Sequence, residues 1–278
     1  MSDLYKRMIV ASILALVVIC LIVFAFHPIF QFFVAGIVAI MAGVAVWEYE
    51  QFVKAKGGKM ITPVLIVLSM AEVIAFFLYA NDNGLRSLPV AVFFGSFLIL
   101  FAMHFREKEG AIVNLAVSSF GLFYIAVPIG MVLGILYADH VDGRWWIAYL
   151  LVITKITDVG AYFAGSLWGK HKLAPHISPK KTIEGAVAGL ICAVVASFLF
   201  YVLSDFAGFR MNEYSWFFLG IILGVVGQFG DLSESLLKRD AQKKDSNVIP
   251  GIGGILDSID SVIFNAIIIF VYLYYIHI

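Results

Sequence analysis

Charge is scarce in this chain. Asp, Glu, Lys and Arg make up 14% of its 278 residues, against about a quarter in an ordinary soluble domain, which excludes that class. Cysteine is scarcer: Cys20 and Cys192 both lie inside apolar runs, so neither a disulfide framework nor a thiolate metal site is supported. The formal net charge is zero, but the few charges are unevenly placed and their positions matter more than their sum. No internal repeat is visible, which weakens a transporter built from duplicated halves.

What is plentiful is apolar sequence. Hydrophobic residues form 62% of the chain and its mean hydropathy is +0.97. Runs long enough to cross a hydrocarbon core of about 30 Å fall at 8–26, 29–47, 61–80, 87–103, 111–137, 145–168, 183–204, 214–230 and 258–276. They predict an all-α integral membrane protein, a polytopic bundle of about nine transmembrane helices. Pro128 is expected to kink the fifth run, and His27 and Pro28 must turn the chain sharply after the first. With the N-terminus inside, the inner segments collect 15 lysines and arginines and the outer segments 3, Lys155 lying within a span. This bias obeys the positive-inside rule. It predicts that 170–182 and 231–257 face the cytoplasm and that the C-terminus lies outside. Lys6 and Arg7 precede the first run, but no small-residue cleavage site follows, so that run reads as a retained span. Trp145, Trp146, Tyr272, Tyr274 and Tyr275 suit interfacial anchors.

Polarity divides the chain in two. Residues 1–140 hold about five of the expected helices and, well within a span, the single carboxylate Glu72; they read as scaffold or dimerisation helices. Residues 141–278 carry four polar clusters at the inner ends of spans and are expected to hold the site. In TKITDVGAYFAGSLWGK, 154–170, Lys155 and Asp158 share a helix face, either as a structural pair or as part of a site. Gly160, Ala161, Ala164 and Gly165 admit a close neighbour, which is more often a helix than a ligand. In GKHKLAPHISPKKTIEG, 169–185, Ser178 and Pro179 read as the N-cap and first-turn proline of the seventh span. Lys180 and Lys181 beside that helix start suit a phosphate seat, the alternative being a topogenic basic loop.

In GQFGDLSESLLKRD, 227–240, Asp231, Glu234 and Ser235 lie on one face within reach of a single ion. Glu234 and Lys238 also have the spacing of an exposed ion pair. In IPGIGGILDSIDS, 249–261, Pro250 and the glycines break the chain before a helix that starts near Ile255. Asp257 and Asp260 then fall three apart in its first turns, at the end that favours anions. Two carboxylate pairs joined by a lysine-rich loop suit Mg2+ together with a phosphorylated substrate.

Ser235, Lys238, Arg239, Lys244, Asp245, Pro250, Gly251, Gly253, Gly254, Asp257 and Asp260, with DVGAYFAGSLWGK and ISPKKTIEG upstream, make 154–265 resemble the phosphatidate cytidylyltransferase, or CDP-diacylglycerol synthase, family. Ile252 stands where that family usually has histidine, Ser258 where it often has arginine, and the stretch between Asp245 and Pro250 is one residue shorter. No role of that histidine or arginine carries over. The resemblance implies that CTP and phosphatidate give CDP-diacylglycerol and pyrophosphate at the inner face of an inner or plasma membrane. Mg2+ is the implied cofactor, with room for a second cation.

The resemblance also implies roles. Asp231 and Asp257 belong to the metal centre, with Asp260 and Glu234 as further ligands. Lys180, Lys181, Lys238 and Arg239 contact phosphates, and Lys238 and Arg239 count with Asp231 and Asp257 as catalytic. Asp158, Ser178, Glu184, Lys244 and Asp245 line the substrate side. The expected partners are CTP, phosphatidate, membrane lipids and a second copy of the chain, with no nucleic acid. Two rivals stand beside this reading. One is another CTP-dependent lipid kinase or transferase, although the Asp-x-x-Asp-Gly-x-x-Ala-Arg run of CDP-alcohol phosphotransferases is absent. The other is a cation-coupled transporter, which would use Lys155, Asp158 and Glu72 near the bilayer midplane.

Overall fold

The computed structural model describes residues 3–81, 85–107, 109–139, 141–207, 211–243 and 254–275. Its elements are α1 (Asp3–Val23), α2 (Phe30–Ala55), α3 (Thr62–Asn81), α4 (Leu88–His104), α5 (Ala111–Gly121), a π turn (Leu122–Ala126), α6 (Val127–Leu136), α7 (Gly143–Trp168), β1 (Lys172–Ala174), β2 (Ser178–Thr182), α8 (Ile183–Ala207), α9 (Ser215–Asp240) and α10 (Ile255–Tyr275). Among the described residues the protein is all-α apart from one two-stranded hairpin, which the apolar pattern did not foretell.

Each of the nine apolar runs carries a helix, but among the described residues seven are long and apolar enough to cross a membrane. These are α2, α3, the continuous rod Ala111–Leu136, α7, α8, α9 and α10. The expected count of about nine is not confirmed by these seven. Helix α4, with 17 residues, is about 25 Å long at 1.5 Å per residue and falls short of the hydrocarbon core; α1 is not among the seven. In the fifth run, the α geometry gives way at the π turn just before Pro128. Proline has no N–H to donate to the Tyr124 carbonyl four residues back, so the regular ladder cannot run through it.

The chain forms two compact units: Met1–Asp139 with Asp240–Ser258, and His140–Arg239 with Ile259–Ile278. In the first unit, α3 packs against α2, α4 and α6. Its core includes Ala42, Val46, Leu65, Val73, Phe76 and Leu133. Tyr137 donates its hydroxyl to the Ala25 carbonyl at 3.2 Å and meets Phe26 and Phe77 edge-on. Helix α2 continues beyond the expected end at residue 47, so Glu48 and Glu50 are buried rather than in a loop. Thr62 donates its hydroxyl to Glu50, and Lys54 pairs with Glu50 at 2.9 Å. Glu72 is buried as expected, and its Oε2 has no hydrogen-bond partner among the described residues.

In the second unit, α7 and α8 lie together along a seam of small residues. A Cβ on Gly189 would come within 2.7 Å of the Thr157 carbonyl oxygen, and one on Gly160 within 2.6 Å of the Cys192 sulfur. The small residues of α7 thus serve helix packing. Tyr149 and Ser197 bridge the two helices at 2.7 Å. Trp146 is a core residue against Tyr149 and Tyr272, both also buried; Trp146 and Tyr272 are therefore not interfacial anchors, whereas Trp145 is exposed.

Candidate active site

The hairpin brings basic residues to the second unit. Strand β2 pairs antiparallel with β1, Lys172 opposite Thr182 and Ala174 opposite Ser178. Ser178 and Pro179 are therefore strand residues, not a helix start, which corrects the expected N-cap. The cap is Thr182, whose Oγ1 accepts from the Gly185 N–H at 3.2 Å, three residues on. Glu184, in the first turn of α8, accepts from the Lys170 and His171 amides at 3.1 and 3.2 Å and pairs with His171 Nδ1 at 2.7 Å. It clasps the loop before β1. Arg239 donates Nε to the Ile177 carbonyl at 3.0 Å and ties the hairpin to the end of α9.

With the hairpin held in this way, Lys181 reaches Asp231 of α9 at 2.5 Å, both groups partly exposed. Lys180, next along the strand, is exposed. Asp231 also accepts from Ser235 at 3.4 Å, one turn further along α9. On α7, Lys155 lies 3.8 Å from Asp158, the pairing expected from their spacing. Asp158 is in electrostatic range of Asp231 and Lys181, and Asp260 of α10 is in range of Asp231, Lys155 and Asp158. Five charged groups from α7, β2, α9 and α10 thus meet in one neighbourhood, two of them cationic.

Close packing makes this meeting possible. A Cβ on Gly230, just before Asp231, would stand 2.7 Å from the Asp260 carbonyl oxygen, so only glycine lets α9 and α10 approach at the level of their carboxylates. Below this level, Asn265 donates to Thr154 at 2.9 Å, and Phe229 meets Phe264 edge-on. Glu234 lies three residues after Asp231 on α9. It pairs with Lys238 at 2.5 Å, and with side-chain exposures of 1% for Glu234 and 15% for Lys238 this is not the exposed pair its spacing suggested.

Asp257 belongs to the first unit, where its Oδ2 accepts from the Gly254 amide at 3.2 Å. Beside it the structure sets a residue that sequence reasoning missed. Glu48 of α2 accepts from the Ile255 and Leu256 amides, each at 2.8 Å, and is fully buried. The apolar period does continue past Glu48 through Tyr49, Phe52 and Val53, and that continuation was the available signal. Lys244, Asp245, Pro250, Gly251, Ile252 and Gly253 lie outside the described residues.

Among the described residues, no three or more His, Cys, Asp or Glu side chains are arranged to hold a metal ion. Mg2+ does not require three, since it commonly takes one or two carboxylates and fills its octahedron with water and substrate phosphate oxygens. The donors fit it: Asp231 and Asp260 are hard oxygen ligands in one neighbourhood, and the Lys181 ammonium already sits as a cation on Asp231.

Apolar helices long enough to span a membrane, with a charged cluster among them, define an integral membrane protein with a polar site. A model of the cytidylyltransferase family matches residues 5–276. The chain is 34% identical over 281 residues to a phosphatidate cytidylyltransferase of Chlamydia muridarum, covering 97% of this chain and 92% of that one. It is 33% identical over 293 residues to the protein of that name from Chlamydia pneumoniae, covering 98% and 92%. With the one from Staphylococcus haemolyticus, identity is 46% over 129 residues, 46% of this chain and 48% of that one. The chain belongs to the cytidylyltransferase family and is a transferase enzyme.

Proposed function

We propose that the protein transfers the cytidylyl group of CTP to phosphatidate, giving CDP-diacylglycerol and pyrophosphate. The observation that carries this reading is the meeting of Lys181 with Asp231 beside Asp158, Asp260 and Lys155, in a chain whose relatives bear the name phosphatidate cytidylyltransferase. In the reaction, a phosphate oxygen of phosphatidate bonds to the α-phosphorus of CTP, the bond from that phosphorus to the β-phosphate oxygen breaks, and pyrophosphate leaves with the electron pair. The nucleophile is already anionic near neutral pH. The demand on the protein is therefore to place two polyanions in line and to offset the charge that gathers between them.

Lys180 and Lys181 on the hairpin are proposed to hold phosphate oxygens, with Arg239 fixing the hairpin through Ile177 and Lys238 adding positive charge on α9. Asp158 with Lys155 is proposed to orient the nucleotide. Asp231 and Asp260 are proposed as carboxylate ligands of Mg2+, while Glu234 supports α9 through Lys238; Asp257, at the start of α10, is proposed to serve the reaction by its charge. When bound, Mg2+ would supply electrostatic polarisation of the phosphoryl oxygens. With substrate bound, Lys181 would exchange its hold on Asp231 for a substrate phosphate.

The test is purified protein in detergent with CTP, phosphatidate and Mg2+. CDP-diacylglycerol and pyrophosphate should form in equal amounts and only when both substrates and the ion are present. Solute movement without CTP turnover would favour the transporter instead. The basic bias of the loops supports an inner location for 170–182 and 231–243, with the C-terminus outside. A Lys243→Cys variant should then be shielded from an impermeant thiol reagent in intact cells; labelling from outside would reverse the orientation. Assembly as a homodimer through the helices of residues 1–140 is part of the same proposal. Cross-linking in native membranes should trap a species of twice the chain mass, and a monomer alone would remove it.

A further inference from the structure

We propose that Glu48 is a positioning residue for Asp257. A helix start leaves its first N–H groups without intrahelical partners, and the usual remedy is a Ser, Thr, Asp or Asn side chain at the N-cap. At the start of α10 the residue before Ile255 is Gly254, which has no side chain to offer. Asp257, in the third helical position, reaches back to the Gly254 amide, which is one half of a capping box. The other half comes from a helix some two hundred residues earlier in the chain. Glu48 sets Oε1 on the Ile255 N–H and Oε2 on the Leu256 N–H, both at 2.8 Å.

Three consequences follow from this geometry. The bidentate grip fixes the rotation of the first turn about its axis, and with it the direction in which Asp257 leaves the helix. It also occupies the two amides that would otherwise attract an anion, so this helix start receives a carboxylate of the protein itself rather than a substrate phosphate. Finally, the buried Glu48 and Asp257 lie in electrostatic range of one another, so a change at either bears on the other. The proposal rests on the reading of Asp257 as a residue that serves the reaction.

The test is a double-mutant cycle on the full-length protein with Glu48→Gln and Asp257→Asn, read by CDP-diacylglycerol formation and by amide hydrogen exchange across 254–258. Glutamine keeps the shape but presents a single acceptor, so one of the two amides loses its partner. In Glu48→Gln, exchange at Ile255 or Leu256 should quicken about tenfold or more. The Mg2+ concentration for half-maximal rate should rise severalfold, and kcat should fall. In the Asp257→Asn background, the same change should leave the residual rate and its Mg2+ dependence where Asp257→Asn alone put them. Glu48→Asp, which keeps the charge but withdraws it by one methylene, provides a second variant should the glutamine protein fail to fold; its effects should run in the same directions and be similarly absorbed by Asp257→Asn. Equal factors in both backgrounds, or faster exchange with unchanged catalysis and Mg2+ dependence, would overturn the proposal and leave Glu48 a helix cap alone. If Asp257→Asn by itself leaves turnover unchanged, the underlying reading of Asp257 has failed, whatever the exchange data show.

Discussion

Two sets of carboxylates in this protein are neutralised in different ways. In the second unit, Asp231 faces Lys181 and Glu234 faces Lys238, each at 2.5 Å. In the first, Glu48 and Asp257 face backbone amides of the α10 start. A lysine is a point charge on a flexible stem and can release its partner when a better cation or anion arrives; an amide in a helix turn cannot move away. The difference teaches where exchange is built in and where geometry is fixed. On the proposed function, Asp231 and Lys181 form a pair that two ligands of opposite charge would divide between them, whereas Glu48 holds a turn in place.

The largest effect should come from removing the exchangeable acid. Asp231→Asn keeps size and one carbonyl oxygen but removes the charge, and turnover should fall at least about a hundredfold, ~2.7 kcal/mol of transition-state stabilisation. Asp257→Asn should come close to it. Wild-type turnover and Mg2+ dependence in either variant would return that carboxylate to a structural role. A smaller effect, which sharpens the comparison, is expected on the hairpin. Lys181→Gln should raise KM for CTP or phosphatidate by about tenfold, one lost charge-assisted phosphate contact. It should also tighten binding of Mn2+ to the substrate-free protein, measured by electron paramagnetic resonance, because Asp231 no longer has a resident cation. Lys180→Gln, at an exposed strand position, should raise KM without altering Mn2+ binding. Identical behaviour of the two variants would show that the Lys181–Asp231 pair has no part in cation exchange. The smallest effect concerns stability alone: Thr182→Ala should cost ~1 kcal/mol through the lost cap of α8, seen as a lower thermal midpoint with nearly unchanged KM.

Local relations were readable in the sequence, and distant ones were not. Lys155 and Asp158 stand three apart on one helix, so their pairing follows from helical geometry. The close packing at Gly160 and Gly165 follows from residue size. The seven helices long and apolar enough to span follow from long apolar windows, as does the shorter apolar helix α4 of 17 residues. Ser178 and Pro179 carried a helix-start signal that the hairpin overrode: pairing of β2 with β1 satisfies backbone groups there, and Thr182, four residues on, takes the cap. The Lys181–Asp231 and Glu48–α10 contacts link segments about 50 and 200 residues apart, and no single-sequence pattern encodes such pairs. Trp146 was misplaced for a related reason. An aromatic at a span end reads as an anchor until a neighbour such as Tyr272 is known to cover it.

The central claim, that the cytidylyl group moves to the lipid, is tested most directly by following two labels of CTP separately in the purified protein with phosphatidate and Mg2+. Label on the α-phosphorus should enter the chloroform-soluble product, and label on the γ-phosphorus should leave as pyrophosphate. Label from the γ-phosphorus on the lipid, with the α-phosphorus remaining in CDP, would contradict the account and make the protein a CTP-dependent lipid kinase.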